Sequence, residues 1–325
     1  MTNKTPVFIR FHNWTTSVGD EKKFLKLLLE KVLNRDIHVV ESFSQSVDIQ
    51  FESVYKTYSK PKFSTRLYRY INSNRPGGID FSNQKHSTNQ QPIGRARFNI
   101  FYTGENERPP EGIWDAYLSF DLHSFGGRNV YLPLWWITSS DLLFPKTSPY
   151  LGKEIKIKDL MQSRTPNYND RRKFCIAFIG KNYPIRMHAI TALSKLGKID
   201  VFGAVARNTK YTQAVNKYDL SQEYRFVLAF ENDLYPGYVT EKPIEAWATG
   251  AVPLYWGLDP AGYINQNSLI NMANFNSMEA FVERVAEVNG SRALWEAHAS
   301  QPLLSIEPTL DNVIVSLRRV LSDLL

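Results

Sequence analysis

The chain has 325 residues, 43% of them hydrophobic and 22% charged, and a formal net charge of +7. That balance excludes a disordered or collagen-like polymer, and the length suits two α/β units of about 150 residues each better than one core. Cys175 is the single cysteine, which excludes an intrachain disulfide framework and a cysteine-rich zinc site.

The positive surplus suits an anionic partner. Lys and Arg are scattered, however, and no zinc-finger, basic-zipper or RNA-binding signature appears, so nucleic acid is not the expected partner. One cysteine favours a reducing compartment. The opening "MTNKTPVFIRFHNW" lacks the apolar run of a signal peptide, and no segment reaches 18 uninterrupted apolar residues. A cytoplasmic protein is expected, with any membrane attachment peripheral.

In chain order, "PVFIRF" (6–11) reads as a buried strand. Residues 21–33 put Phe24, Leu27, Leu28 and Val32 on one helical face. "IHVV" and "VDIQF" follow as strands. Residues 72–94, polar and rich in Gly, Pro and Asn, read as a long surface loop. "ARFNIFYTG" (96–104), "WDAYLSF" (114–120) and "NVYLPLWW" (129–136) resume strand character. Between Ser139 and Arg172 there is no sustained period, and prolines and basic residues cluster. The domain boundary is placed there, giving units 1–150 and 151–325.

The second unit begins with the strand "KFCIAFIG" (173–180) and a helix over 184–196. "IDVFG", "EYRFVLAFEN" and "AVPLYWG" are further strands, with a helix over 240–249. Strand–helix–strand alternation in both halves predicts parallel sheets with right-handed crossovers. Val313, Leu317, Val320, Leu321 and Leu324 form one helical face near the C-terminus, suited to packing across the units.

The densest cluster of chemistry is "FENDLYPGYVTEKPIEAWATGAVPLYWG" (230–257). Thr240 is a good N-cap, Glu241 falls in a first turn, and Pro243 fits there too. A helix starting just past the carboxyl end of a parallel strand is a phosphate site in many α/β proteins. Lys242 adds a full charge, Tyr238 a hydroxyl, and Glu241 an acceptor for paired ribose hydroxyls. On spacing alone, caps plus a solvated lysine explain the stretch equally well. Neither a Walker loop nor G-x-G-x-x-G is present in this stretch.

This stretch resembles the "FEN…YVTEK…GAVPxxWG" motif of the α-1,3/4-fucosyltransferases, glycosyltransferase family 10. "FYTGENERPP" (101–110) is similar to that family's "FYTGEN" strand end, and "VARNTKY" (205–211) to its "RNT" segment. The resemblance covers roughly 97–136 and 173–257 and implies a GT-B fold, two Rossmann-like domains facing each other across a cleft. It implies Glu105 as the catalytic base and Arg207, Asn232, Tyr238, Glu241 and Lys242 as contacts to GDP-fucose, with Arg186 in support. The implied reaction is inverting transfer of L-fucose to O3 or O4 of an acceptor glycan, such as the N-acetylglucosamine of a lactosamine-type or lipopolysaccharide glycan. The bland alternative base, Glu107, lies two residues from Glu105. No Asp is followed two residues later by another Asp, so no metal or other cofactor is expected. The histidines form no close metal pair. His12 ends a strand and either packs or lines the acceptor cleft, His188 is expected on a helix surface, and Cys175 in the core. A transferase using another GDP-sugar and a non-catalytic glycan- or nucleotide-binding module are the rival readings.

Overall fold

The computed structural model describes residues 5–14, 19–53, 96–106, 114–209 and 216–325. The expected loop at 72–94 and Glu107 lie outside the described residues. The N-terminal unit runs β1 (Val7–His12), α1 (Gly19–Leu33), β2 (Ile37–Val39), β3 (Val47–Ser53), β4 (Ala96–Tyr102), β5 (Ala116–Ser119) and β6 (Asn129–Tyr131). These strands form one parallel sheet in the order β2-β1-β3-β4-β5-β6. Helix α1 buries Phe24, Leu25, Leu28, Leu29 and Val32 in the core with Val7 and Ile9 of β1. Leu27, expected on that face, is only half-buried. Each fully buried Leu or Phe contributes about 1.5–3 kcal/mol, so this one face anchors the unit.

"NVYLPLWW" is not a continuous strand. Pairing stops at Tyr131, because Pro133 lacks the N–H that a ladder needs, and the chain turns into the short helix α2 (Leu134–Thr138). Trp135 and Trp136 are both buried there, edge to face at 6.1 Å.

The segment after α2 includes α3 (Ile157–Leu160) and carries the basic residues noted above. Two of them serve the chain's own backbone. Arg164 donates to the carbonyls of Ala299, Trp247 and Ala251. Arg171 donates to those of Ser221, Tyr224 and Thr249 at 3.2, 2.7 and 2.8 Å. Trp247 and Thr249 lie at the end of a helix, where carbonyls lack intrahelical partners.

The C-terminal unit comprises β7 (Lys173–Phe178), α4 (Pro184–Leu193), β8 (Ile199–Phe202), α5 (Lys217–Ser221), β9 (Tyr224–Phe230), α6 (Lys242–Ala248), β10 (Val252–Trp256), β11 (Ile270–Asn271), α7 (Met278–Gly290) and α8 (Arg292–Ala299). Its parallel sheet has the order β11-β10-β9-β7-β8. Runs such as "RFVLAF" and "VPLYW" are nearly all buried, as sheets covered on both faces require. The final helix, α9 (Asp311–Val320), returns to the first unit and packs on α1. Arg318 Nε donates to the Val32 carbonyl at 3.0 Å. Among the described residues no helix is long and apolar enough to cross a membrane.

Both sheets share one device. From β1 the chain goes out to β2 and then returns to place β3 on the other side of β1; β7, β8 and β9 repeat this. Such reversals open crevices at the carboxyl ends of the central strands. Those ends position the site.

Candidate active site

A cleft of about 840 Å³ lies between the units, and Glu105, Arg186, Arg207, Asn232, Tyr238, Glu241 and Lys242 all line it. Glu105 comes from the N-terminal unit, three residues past β4; the other six come from the C-terminal unit.

The loop from β9 to α6 is organised by a residue that sequence reasoning passed over. Glu231 follows β9 directly and is fully buried. Its carboxylate accepts from the Thr240 backbone N–H at 2.9 Å, from the Thr240 hydroxyl at 2.8 Å and from the Tyr255 hydroxyl at 3.4 Å. Lys242 Nζ reaches it at 3.1 Å. Thr240 is therefore not the helix cap that the spacing suggested: its hydroxyl is taken by Glu231, and Glu241 occupies the cap position with helical backbone angles and no side-chain cap bond. A carboxylate ending an apolar strand and a lysine opening the next helix were the available signal.

Lys242 Nζ also meets Thr240 Oγ1 at 2.8 Å and Glu241 at 3.3 Å. Burial alone would lower its pKa, but Glu231 and Glu241 outweigh burial and raise it, so the ammonium is held charged. Burial likewise pushes Glu241 up, yet Lys242, a backbone N–H and Lys217 bring it down to about 2. Burial raises Glu231, against the opposing pull of Lys242.

Arg186, in the first turn of α4, is buried. It donates through Nε and Nη2 to the Phe230 carbonyl at 3.1 and 2.6 Å, and through Nη2 to Asn232 Oδ1 at 2.8 Å. Asn232 thus orients the guanidinium. Arg207 is exposed on the loop after β8. That loop is clipped to its strand by Asn208, which accepts from the Val201 N–H and donates to the Ile199 carbonyl, both at 2.8 Å. In "RNT" the Asn is structural, and the exposed Arg207 lines the cleft.

Across the cleft, the Tyr238 hydroxyl donates to Glu105 Oε2 at 3.5 Å. Tyr238 is itself buried, its ring 5.5 Å from Phe120 of the N-terminal unit. Burial raises the Glu105 pKa, Lys181 and Lys242 oppose, and Glu241 adds to the rise. Lys181, on the loop after β7, also lines the cleft and was not singled out from sequence. Neither was Glu245, one turn beyond Glu241 on α6. It is buried, accepts from Ser148 Oγ at 2.7 Å and pairs with Lys217 at 2.9 Å. Chemically, the arrangement is a carboxylate of raised proton affinity facing a group of cations.

The other candidates lie apart. His188 is exposed on α4 and Cys175 is buried, where burial pushes its thiol up. His12 is absent from the lining of this cleft and pairs with Glu52 at 2.6 Å. Among the described residues, no group of three or more His, Cys, Asp or Glu side chains could hold a metal ion.

Comparison with known proteins follows the same outline. Residues 169–300 match the family model described as Glycosyltransferase family 10 (fucosyltransferase) C-term. The alpha-(1,3)-fucosyltransferase FucT of Helicobacter pylori is 30% identical over 223 residues, 60% of this chain and 46% of that protein. The chain spans less than half the length of the curated relatives it matches. A crystal structure of an alpha1,3-fucosyltransferase superposes with a TM-score of 0.67 at 20% identity, covering 98% of this chain and 91% of that one. Another, of an alpha1,3-fucosyltransferase with GDP-fucose, gives 0.64 at 21%, covering 100% and 92%. The fold is therefore of the GT-B type seen in these alpha1,3-fucosyltransferase structures, and residues 169–300 are similar to the C-terminal domain of glycosyltransferase family 10.

Proposed function

We propose that this chain is an inverting fucosyltransferase that moves L-fucose from GDP-β-L-fucose to O3 or O4 of an acceptor glycan. One observation carries the reading: Glu105 of one unit faces Tyr238, Lys242 and Lys181 of the other across a single cleft. In this reading the acceptor oxygen attacks C1 of fucose while Glu105 takes its proton. The bond from C1 to the β-phosphate oxygen breaks, and GDP leaves with that electron pair. Arg186, Arg207 and Lys242 neutralise the charge growing on the diphosphate, and Glu241, ionised well below neutrality, accepts from the ribose hydroxyls. Asn232 holds Arg186 for this task. Lys242 is already shared between Thr240, Glu231 and Glu241. Bound diphosphate must therefore compete with Glu241 for one of its three N–H groups.

Side-chain cations would do the work that a bound metal does in other transferases. Activity is expected to survive excess chelator, and complete loss restored by a divalent ion would overturn that. The acceptor in this reading is the N-acetylglucosamine of a lactosamine-type or lipopolysaccharide glycan, handled in the cytoplasm or at a membrane face. The decisive experiment incubates the protein with GDP-fucose and N-acetyllactosamine and reads product mass and linkage. An α-linked fucosyl product is expected, with GDP-mannose a poor competitor. Equal transfer from GDP-mannose would point to another donor, and GDP binding without any transfer to an acceptor panel would leave a binding module.

A further inference from the structure

In the transferase reading Glu241 faces two demands at once. It is offered to the ribose hydroxyls, yet Lys242, the ammonium bonded to it at 3.3 Å, must turn partly to the diphosphate. Two further carboxylates crowd it. Glu231 shares the same lysine at 3.1 Å. Glu245 lies one turn along α6, its backbone N–H donating to the Glu241 carbonyl at 2.8 Å. Like charges four residues apart on a helix repel, and burial strengthens the effect. Glu245 carries the mark of it: burial pushes its pKa up, Lys217 opposes, and Glu241 adds to the rise.

Lys217 is fixed in this place from several sides. Asn216 caps α5 by accepting from the Tyr218 N–H at 2.8 Å, and the Lys217 N–H donates to the Tyr150 carbonyl at 2.8 Å. Its Nζ stands 4.0 Å from the centroid of the Tyr150 ring and 5.5 Å from that of Phe178. The same Nζ donates to Glu245 Oε2 at 2.9 Å. Glu245 Oε1 takes the Ser148 hydroxyl at 2.7 Å, and Ser148 Oγ accepts from the Tyr150 and Leu151 N–H groups at 3.3 and 3.2 Å. The segment between the units thus fixes the carboxylate that fixes the lysine. An ammonium already held between two aromatic faces has little freedom left to lose when a ligand arrives. Lys217, Glu245 and Glu241 line one cleft. Burial pushes the Glu241 pKa up, and Lys217 joins Lys242 in holding it down.

We propose that Lys217, held by Glu245 and Ser148, is the standing counter-ion that keeps Glu241 available to the ribose of a nucleoside diphosphate while Lys242 is drawn to the phosphates. Lys217 is then a positioning residue, because its effect on the ligand runs through Glu241. The role rests on the nucleotide contacts of the transferase reading and not on the transfer step.

The test compares GDP with 2′,3′-dideoxy-GDP, which lacks the ribose hydroxyls, by calorimetric titration of the full chain. Lys217→Gln keeps a hydrogen-bond donor for Glu245 and removes only the charge. It should weaken GDP about tenfold and the dideoxy nucleotide by no more than about twofold. Lys217→Met should show the same selective loss, and Lys217→Arg, which keeps the charge, should bind GDP like the parent. A merely structural lysine would weaken both nucleotides alike. That result, or GDP affinity unchanged in both Lys217→Gln and Lys217→Met, overturns the inference. Selective loss in a chain that transfers fucose to no acceptor would leave the role of Lys217 standing and remove the transferase reading.

Discussion

Glu105 acts, in the proposed mechanism, through the proton affinity that burial gives it. Its pKa lies above the ordinary value, so the carboxylate protonates at a higher pH than a solvated glutamate, near 4.3. The sign follows: kcat/KM should fall as pH drops through that raised pKa and be flat above it. Glu105→Gln should lower kcat by about 10²–10⁴, leave GDP affinity intact, and abolish this acid limb. A variant with full turnover would remove Glu105 from the chemistry. Glu231 calls for a different measurement. Removing a buried carboxylate that holds a charged lysine costs about 3–5 kcal/mol, so Glu231→Ala should unfold at a markedly lower denaturant concentration. Glu231→Gln, which keeps the Thr240 bonds but drops the charge, should fold and bind GDP more weakly because Lys242 is no longer aimed. Unaltered GDP affinity in a folded Glu231→Gln would contradict that. Glu231 was hard to read in sequence, because an acid after an apolar strand looks like any strand end. Tyr238, Glu241 and Lys242 were legible only because their spacing matched a motif.

At the scale of elements, the loop between β9 and α6 is clamped on both sides. Gly237 has φ +86°, and a Cβ there would collide with the carbonyl oxygen of Phe120 in the opposite unit. Two residues earlier, the Tyr235 hydroxyl donates to Asp121 Oδ1 at 2.9 Å. Gly237→Ala must therefore strain its own backbone and push the units apart, and a loss of more than 1 kcal/mol is expected in thermal unfolding. It should also weaken Glu105-dependent turnover more than GDP binding, since the proposed nucleotide contacts lie on one side only. Turnover and Tm like those of the parent would show that the contact is dispensable. Period and composition located the strands well, because buried parallel strands announce themselves as apolar runs. They misjudged "YLPLWW", where Pro133 diverts an apolar run into a helix, and Thr240, where a partner from the strand before outcompetes the cap. Both errors have one cause: tertiary partners decide which local option is taken.

For the whole molecule, the two-unit α/β plan followed from alternation alone, while the facing cleft came only from the family likeness. The basic residues between the units seemed featureless in sequence, since nothing local reveals that Arg164 and Arg171 will cap carbonyls far along the chain. Arg171→Met should leave those carbonyls bare and cost about 2–4 kcal/mol in equilibrium unfolding. The return of α9 onto α1 has a mechanical effect. The polypeptide passes between the lobes twice, once before β7 and again ahead of α9, so unfolding of either lobe must pull on the other through two covalent tethers as well as their shared core.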